Sequence, residues 1–220
     1  MTAIPLAQCR LFAGLSENEI EVSLRFFDAR EEAFPRGALI SRPGEPLRHF
    51  GLVLAGGVEV SCSDFNGRLM LMASVEPGLT FGESLSYLER TADLTIRAAA
   101  DCRILWLSPA KARDPAPASP LEAELCRRFT AMLAERALAQ NDRIQILSKP
   151  TLRDKIVTFL SQAARRAGSD TVRIALDREG LAAFLGCERS ALSRELSRMQ
   201  KDGLITYRKN LFILHKDEPI

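Results

Sequence analysis

The chain has 220 residues, of which 46% are hydrophobic and 26% charged, a composition typical of a globular protein with room for two domains. No apolar run approaches the roughly 18 residues that a membrane-spanning helix needs, and the N-terminus lacks the basic start and apolar core of a signal peptide. We therefore expect a cytoplasmic protein with no membrane partner.

The net charge of +2 is distributed unevenly along the chain. Residues 1–110 carry 10 Lys/Arg and 14 Asp/Glu, a net −4, whereas residues 151–220 carry 13 and 9, a net +4. Residues 189–216 carry 7 basic and 2 acidic side chains. Such a local excess of positive charge is typical of a surface that binds a polyanion.

The cysteines are odd in number and scattered, with no Cys-x-x-Cys pair, so neither a disulfide framework nor a zinc ribbon is expected. We interpret them as mostly reduced core residues. Redox switching at Cys126 or Cys187 is the alternative. The five cysteines are Cys9, Cys62, Cys102, Cys126 and Cys187.

The first 120 residues predict a short helix followed by many short strands. Ser16 and Glu19 have capping-box spacing before an apolar run, which predicts a helix start within residues 11–33. From Phe34, apolar stretches alternate with turn signals at intervals of about ten residues, as in an antiparallel sandwich or barrel. Asn66-Gly67 is the strongest hairpin signal.

The segment Phe81-Gly82-Glu83-Ser84 ends a predicted strand and opens a short helix through Tyr87. Backbone N–H groups at a helix start can hold an anion, and glycine permits close approach of a ligand. A plain glycine turn is the alternative.

A proline-rich connector over residues 108–120 precedes a long predicted helix, residues 121–147. Its apolar stripe at spacings of three and four predicts the seam of a parallel coiled-coil homodimer, in which Gln140 would fix the register. The alternative is a helix that packs only on its own barrel. The stripe contains Cys126, Phe129, Leu133, Ala137, Gln140, Ile144 and Leu147.

Ser148-Lys149-Pro150 should break the helix, because Pro150 disfavours helical backbone at Lys149, and we interpret this tripeptide as a hinge. Thr151 and Asp154 then cap a helix that extends to about Ala167. A short strand follows, and Asp177 caps the next helix.

The last predicted helix, residues 189–201, has two distinct faces. Leu192, Leu196 and Met199 share a buried stripe, and the opposite arc is hydroxylated and cationic, which suits phosphates and base edges in a major groove. This arc contains Arg189, Ser190, Ser193, Arg194, Ser197 and Lys201. A hairpin follows with Arg208 and Lys209 at its tip, which completes a winged helix-turn-helix.

The whole chain resembles the Crp/Fnr family of bacterial transcription regulators, typified by the cyclic-AMP receptor protein and the fumarate and nitrate reduction regulator. The matching segments are LFAGLSENEI, PRGALI, GLVLAGGVEV, FGES, LSKPTLRDKI and, as the most specific, RSALSRELSRMQKDGLI.

The resemblance implies an α+β fold of three parts. These are an effector-sensing jelly-roll barrel of the cyclic-nucleotide-binding type (1–120), a dimerisation helix (121–147) and a winged helix-turn-helix (148–220). It implies a homodimer that binds double-stranded DNA at a palindromic operator and is controlled by a small-molecule effector or redox signal. RNA polymerase is a further candidate partner.

Carried over residue by residue, the resemblance places Arg189, Ser190, Ser193 and Arg194 at base-reading positions of the recognition helix. Arg194 matches an arginine of both typifying members and is the candidate for a guanine contact. Both members carry glutamate where this chain has Ser190, so neither of their operators can be assumed.

The sensor departs further from the family pattern. Its candidate effector pocket contains Gly82, Glu83, Ser84, Arg90 and Arg97. The Arg-Ser pair that holds a cyclic phosphate is replaced within residues 90–94, where Asp93 would repel phosphate, so cyclic AMP is not expected. Arg90 is a weak substitute.

An iron–sulfur cluster is not expected either, because Cys9 stands alone where the oxygen-sensing members cluster cysteines. Haem stays open, with His49 as candidate axial ligand and a structural histidine as the alternative. The cofactor, if any, is left unassigned.

Two rival functions are weighed against the regulator. A ligand-binding module that acts on a protein partner would need no Ser/Arg arc. An enzyme is not supported, because the chain contains no GxxxxGK, HExxH or GxSxG motif and no catalytic or metal-binding residues are assigned.

Overall fold

The computed structural model describes residues 3–63, 69–114 and 116–215, so the predicted turn at Asn66-Gly67 lies outside the described residues. The helices are α1 (Glu17–Phe26), α2 (Glu83–Leu88), α3 (Pro120–Leu147), α4 (Leu152–Ala167), α5 (Arg178–Leu185) and α6 (Arg189–Lys201). The strands are β1 (Arg30–Phe34), β2 (Leu39–Ser41), β3 (Phe50–Ala55), β4 (Val58–Ser63), β5 (Leu69–Val75), β6 (Thr80–Phe81), β7 (Leu94–Ala98), β8 (Cys102–Leu107), β9 (Thr171–Arg173), β10 (Ile205–Arg208) and β11 (Leu211–Leu214).

The capping box predicted at the start of α1 is confirmed. The Ser16 backbone N–H donates to Glu19 Oε2 over 2.8 Å, and the Glu19 N–H donates to Ser16 Oγ over 3.4 Å. These bonds satisfy amides that the first helical turn leaves without partners. The Ser16 hydroxyl also donates to Glu19 Oε2 over 2.7 Å, and this bond, followed by the one from the Ser16 N–H, lowers the pKa of the Glu19 carboxyl.

The predicted β-domain is a pair of antiparallel sheets with strand orders β1-β8-β3-β6 and β2-β7-β4-β5. Val53, Phe81 and Ile104, each at most 1% exposed, belong to one buried apolar cluster of this domain. Gly51 on β3 has a local reason: a Cβ there would collide with the Phe81 ring. The jelly-roll type of fold follows from these paired sheets.

A second apolar cluster attaches the first half of α3 to the barrel. Leu125 and Phe129 of α3 are at most 1% exposed and pack with Phe27, Phe50 and Leu107. The Phe129 ring centroid lies 5.2 Å from that of Phe50. Aromatic contacts of this kind make the barrel a structural support for the helix.

The C-terminal part is a helical domain with a small sheet of order β10-β11-β9. Thr151 caps α4 by accepting the Asp154 N–H over 3.1 Å, and Gly168 ends the helix in the left-handed conformation. The core unites α4, α5, α6 and the sheet through Leu160, Leu185 and Phe212 among others. The predicted caps and the order of elements are confirmed in this domain.

Two compact units are present, Met1–Ala134 and Glu135–Ile220, and their boundary lies inside α3. The expected boundaries at 120/121 and 147/148 were the ends of that helix. The reason for the difference is packing: Phe129 belongs to the barrel core, whereas Ile146, 1% exposed, belongs to the C-terminal core. Among the described helices, none combines the length and hydropathy that a membrane crossing requires.

Candidate nucleic-acid interface

The helix-turn-helix is built by two capped helices and a glycine turn. Asp177 caps α5 by accepting the Gly180 N–H over 2.7 Å. Gly186 then ends α5 with a φ of +67°, a conformation that glycine adopts without steric cost. Glu188 precedes α6, so the two helices are separated by only a short turn.

The recognition helix α6 buries one side and exposes the other, as predicted. Leu192, Leu196 and Met199 are fully buried. The predicted arc is exposed in full: Arg189, Ser190, Ser193, Arg194, Ser197 and Lys201. With the described residues, Arg189 and Arg194 form no ion pair. Their guanidinium donors are therefore available to a ligand.

Ser197 differs from the other hydroxyls of the arc because it is engaged within the protein. Its Oγ donates to the Ser193 carbonyl over 3.0 Å, and it lies 3.4 Å from the Tyr207 hydroxyl. A serine that is bonded back to its own helix has less donor capacity for DNA. The structure thus ties Ser197 to the hairpin that follows α6.

A charge network fixes α6 against α4. Arg153 of α4 donates from Nε to Glu195 Oε1 over 2.7 Å, and its Nη1 lies 2.7 Å from Asp202 Oδ2. These carboxylates raise the pKa of the Arg153 guanidinium, first through the Glu195 hydrogen bond. Arg198, 3.6 Å from Glu195, is 70% exposed on the same helix. Sequence analysis missed Arg198 as a candidate phosphate contact.

The predicted wing is the hairpin of β10 and β11, with Arg208 and Lys209 exposed at its tip. Lys209 has a φ of +53°, which is unusual for a residue other than glycine. Arg178, the first residue of α5, packs beside this hairpin, and its Nη2 donates to the Lys209 carbonyl over 3.3 Å. Sequence analysis did not identify Arg178, because its partners are distant in the chain.

The candidate effector residues differ in exposure and in their hydrogen-bond partners. Glu83 is 2% exposed and accepts a hydrogen bond from the Thr80 hydroxyl, whereas Ser84 and Arg90 are exposed. Arg97 is exposed on β7 and donates to the Gly37 carbonyl over 2.7 Å. Among the predicted set, Glu83 is therefore the buried polar residue.

Gly82, at the N-cap of α2, has a φ of +80°, and a Cβ there would collide with the Leu47 side chain. The glycine is thus explained by close packing. Further along, Asp93 is exposed and Leu94 is half-buried at the start of β7. By the resemblance, this segment corresponds to the one that holds a cyclic phosphate in the cyclic-nucleotide version of the barrel. In this chain it carries a carboxylate and an apolar residue.

His49 and the cysteines show no cofactor geometry within the described ranges. His49 Nε2 lies 4.0 Å from Asp28 Oδ2, with the histidine side chain 30% exposed. No group of three potential metal ligands occurs among the described residues. Burial raises the pKa of the Cys126 and Cys187 thiols, which lowers their thiolate fraction and hence their reactivity.

The seven predicted seam residues of α3 fall into two groups. Phe129 is 1% exposed in the barrel core, so it is not available to a partner subunit, and Cys126 and Leu133 are half-buried against the same cluster. The exposed members are Ala137, Gln140, Ile144 and Leu147. Within one chain, the first half of the stripe therefore packs on the barrel.

A different face of α3 is exposed along its whole length. Its residues follow spacings of four and three, and at 100° per residue Ala134 lies about 140° around the helix from Phe129. The face contains Ala123, Arg127, Thr130, Ala134, Ala137, Asn141 and Ile144, all exposed. This series, defined here as the outer face of α3, has the heptad spacing of a coiled-coil seam.

Comparison with known proteins agrees with both domains. The cyclic nucleotide-binding domain matches residues 31–114, and the Crp-like helix-turn-helix domain matches residues 154–218. The CRP-like protein Clp of Xanthomonas euvesicatoria pv. vesicatoria is 22% identical over 189 residues, which are 83% of this chain and 82% of that protein.

Solved structures share the fold. The c-di-GMP-responsive global regulator CLP of Xanthomonas campestris has a TM-score of 0.56 at 20% identity, covering 92% of this chain and 100% of its own. FixK2 from Bradyrhizobium japonicum has a TM-score of 0.52 at 22% identity, covering 86% and 93%. With both domain models matched in order along a chain that carries an exposed recognition helix, the chain belongs to the Crp/Fnr family of DNA-binding transcription regulators.

Proposed function

We propose that the chain is a homodimeric regulator that binds a two-fold symmetric operator and responds to an effector other than cyclic AMP. The observation that carries the proposal is the exposed arc of α6, with Arg189 and Arg194 free of ion pairs with the described residues and the cations of the wing tip in the same domain. The family is non-enzymatic and typically dimeric, which supports this assignment.

The chemistry of the arc suits duplex DNA. Arginine makes bidentate hydrogen bonds to guanine O6 and N7, and serine can donate to a phosphate and either donate to or accept from a base edge. Arg194 is the proposed guanine reader, and Ser190 and Ser193 are proposed to contact neighbouring bases. Arg189 is proposed to reach a base edge, and Lys201, Arg208 and Lys209 are proposed to neutralise phosphates and fix the register.

The outer face of α3 supports the homodimer. Ala134 and Ala137 are small enough to let two helices approach closely, and Asn141 is a polar group that can pair with its copy and fix the register. This proposal replaces five residues of the predicted seam, while Ala137 and Ile144 belong to both sets. The five are Cys126, Phe129, Leu133, Gln140 and Leu147. A parallel pair of α3 helices would place two DNA-binding domains on one duplex.

The barrel supports an effector without a cyclic phosphate. Asp93 and Leu94 stand in the segment where a cation would be needed, and Arg90 is exposed. Desolvating a phosphate without a cation is unfavourable. One structural relative is described as c-di-GMP-responsive, and that dinucleotide also carries phosphates, so it is tested beside cyclic AMP with the expectation that neither binds.

Regulation is proposed to act through the break between α3 and α4 at Ser148-Lys149-Pro150. An effector held beside the first half of α3 would alter DNA affinity across this hinge. Such coupling is reciprocal, so DNA should change effector affinity by the same factor.

The proposed function is tested by selecting duplexes from a randomised pool with the purified full-length protein. The expected result is an enriched inverted repeat whose half-site centres are about 34 Å, one duplex turn, apart. Binding of that duplex should weaken linearly on a logarithmic scale as salt rises, since phosphate neutralisation releases counterions. A protein-partner module would enrich no sequence, and that outcome would overturn the proposal.

A further inference from the structure

Arg178 is enclosed by aromatic rings of the wing. Its guanidinium carbon lies 5.0 Å from the centroid of the Tyr207 ring and 5.4 Å from that of Phe212. The two rings are stacked, with centroids 5.7 Å apart and an interplanar angle of 22°. An arginine over aromatic faces is held by both cation–π attraction and planar stacking.

The same guanidinium holds the turn of the wing. Arg178 Nη2 donates to the carbonyl of Lys209, the residue with the left-handed φ of +53°. A left-handed conformation is disfavoured for lysine, so it persists where surrounding contacts determine it. The bond from Arg178 is such a contact, and it fixes the turn that carries the exposed Arg208 and Lys209 side chains.

Tyr207 connects this cluster to the recognition helix. Its backbone N–H donates to Gln200 Oε1 over 3.2 Å, while its hydroxyl lies 3.4 Å from Ser197 Oγ. Both partners belong to α6. The wing tip, the start of α5 and the exposed side of α6 are thus joined by one set of contacts.

Direct phosphate binding by Arg178 is disfavoured by its surroundings. Nη1 is buried, Nη2 is engaged with the Lys209 carbonyl, and burial lowers the pKa of the guanidinium. A phosphate would have to displace the wing to reach Nη1. The side chain is placed to act on the wing rather than on DNA.

We propose that Arg178 is a positioning residue that holds the wing tip so that the Lys209 side chain meets a phosphate flanking each half-site. The inference rests on the proposed function, because it assigns a role within DNA binding. The first residue of α5 thus holds the wing tip in place, which neither the recognition helix nor the wing does by itself.

The test measures salt dependence for the full-length protein on the selected duplex. Lys209→Ala should reduce the slope of log K against log salt by about 0.9 for each wing, the value for one phosphate contact. Arg178→Lys conserves charge, yet it should reduce the slope by the same amount, because lysine cannot stack on both rings and reach the carbonyl. The double variant, with both Arg178→Lys and Lys209→Ala, should show no larger reduction in this slope than either single variant.

Two outcomes would overturn the positioning role. If Arg178→Lys keeps the full slope of log K against log salt, a positive charge at residue 178 is sufficient for DNA binding and the stacked guanidinium is not needed. If the double variant loses twice the slope of Lys209→Ala, Arg178 contacts its own phosphate. Arg165→Lys, a conservative change at an exposed arginine of the same domain, is the matched control and should leave the slope unchanged.

A second variant guards against a folding defect. Tyr207→Leu removes one stacking ring and should lower the slope as Arg178→Lys does, with thermal unfolding followed for every variant. An unchanged slope in a folded Tyr207→Leu protein would contradict the proposal. If no duplex is enriched in the selection, the proposed function itself is contradicted. If a duplex is enriched but the slope reductions of Arg178→Lys and Lys209→Ala add in the double variant, only the positioning role is contradicted.

Discussion

Ser190 is exposed on the recognition arc, and its short hydroxyl can donate or accept. The two typifying family members carry glutamate at this position, and a carboxylate only accepts, which favours cytosine N4. We therefore expect the operator of this protein to differ from theirs at one base pair of each half-site.

Replacing this serine should change which base is preferred. We expect Ser190→Glu to enrich cytosine at one position of each half-site and to weaken binding to the wild-type duplex, because the carboxylate repels nearby phosphates. Repeating the selection with the variant measures this. Ser197→Glu, at a hydroxyl engaged with Ser193, is the control variant. An unchanged base preference in Ser190→Glu would contradict base reading by Ser190.

Cys187 lies in the turn before α6 and is half-buried. Burial raises the pKa of its thiol, partly offset by the charge of Lys155, so the thiol is protonated at neutral pH. We expect iodoacetamide to alkylate Cys187 more slowly at pH 7 than it alkylates an unstructured cysteine peptide. The rate for Cys187 should begin to rise at a higher pH than the rate for the peptide. Peptide-resolved mass spectrometry gives the rates; alkylation faster than the peptide at pH 7 would restore the redox-switch interpretation.

Single residues were predictable from the sequence where local periodicity decides their environment. The arc of α6 follows from the burial of Leu192, Leu196 and Met199 at helical spacing. The engagement of Ser197 and the enclosure of Arg178 could not be predicted, because both depend on how the β10–β11 hairpin folds back. Tertiary contacts of this kind leave no spacing in the sequence.

At the scale of elements, α3 shows how one helix serves two surfaces. Spacings of three and four occur both on its barrel-facing side, at Leu125 and Phe129, and on its outer face. Of the larger apolar residues that suggested a seam, Phe129 and Leu133 pack on the barrel, whereas Ile144 and Leu147 are exposed. The length of α3 was predictable from its periodicity, whereas the face that meets a partner depends on the barrel core.

Charge substitutions distinguish the two proposed seams. Ala134→Glu introduces a carboxylate on the outer face and should convert the dimer to a monomer, because two like charges would be desolvated together. Gln140→Glu adds the same charge about 120° away around the helix and should leave the dimer intact. Sedimentation of both variants decides; dissociation by Gln140→Glu alone would favour the seam predicted from sequence.

At the scale of the molecule, the order of the domains was predictable because each carries its own turn and capping signals. The division of the chain within α3 was not, since it depends on which core takes Phe129 and which takes Ile146. For the sensor, the sequence predicts only that a cation is missing from the segment expected to hold a cyclic phosphate, where Asp93 and Leu94 stand. The chemistry of its effector is not encoded in a recognisable motif.

The central claim is that α6 reads DNA sequence, and Arg194 tests it most directly. Wild-type protein and Arg194→Ala are titrated with the selected duplex and with versions substituted at each base pair. We expect Arg194→Ala to cost about 1–3 kcal/mol on the selected duplex and to lose discrimination at one guanine in each half-site. An equal loss of affinity for every sequence would contradict the claim.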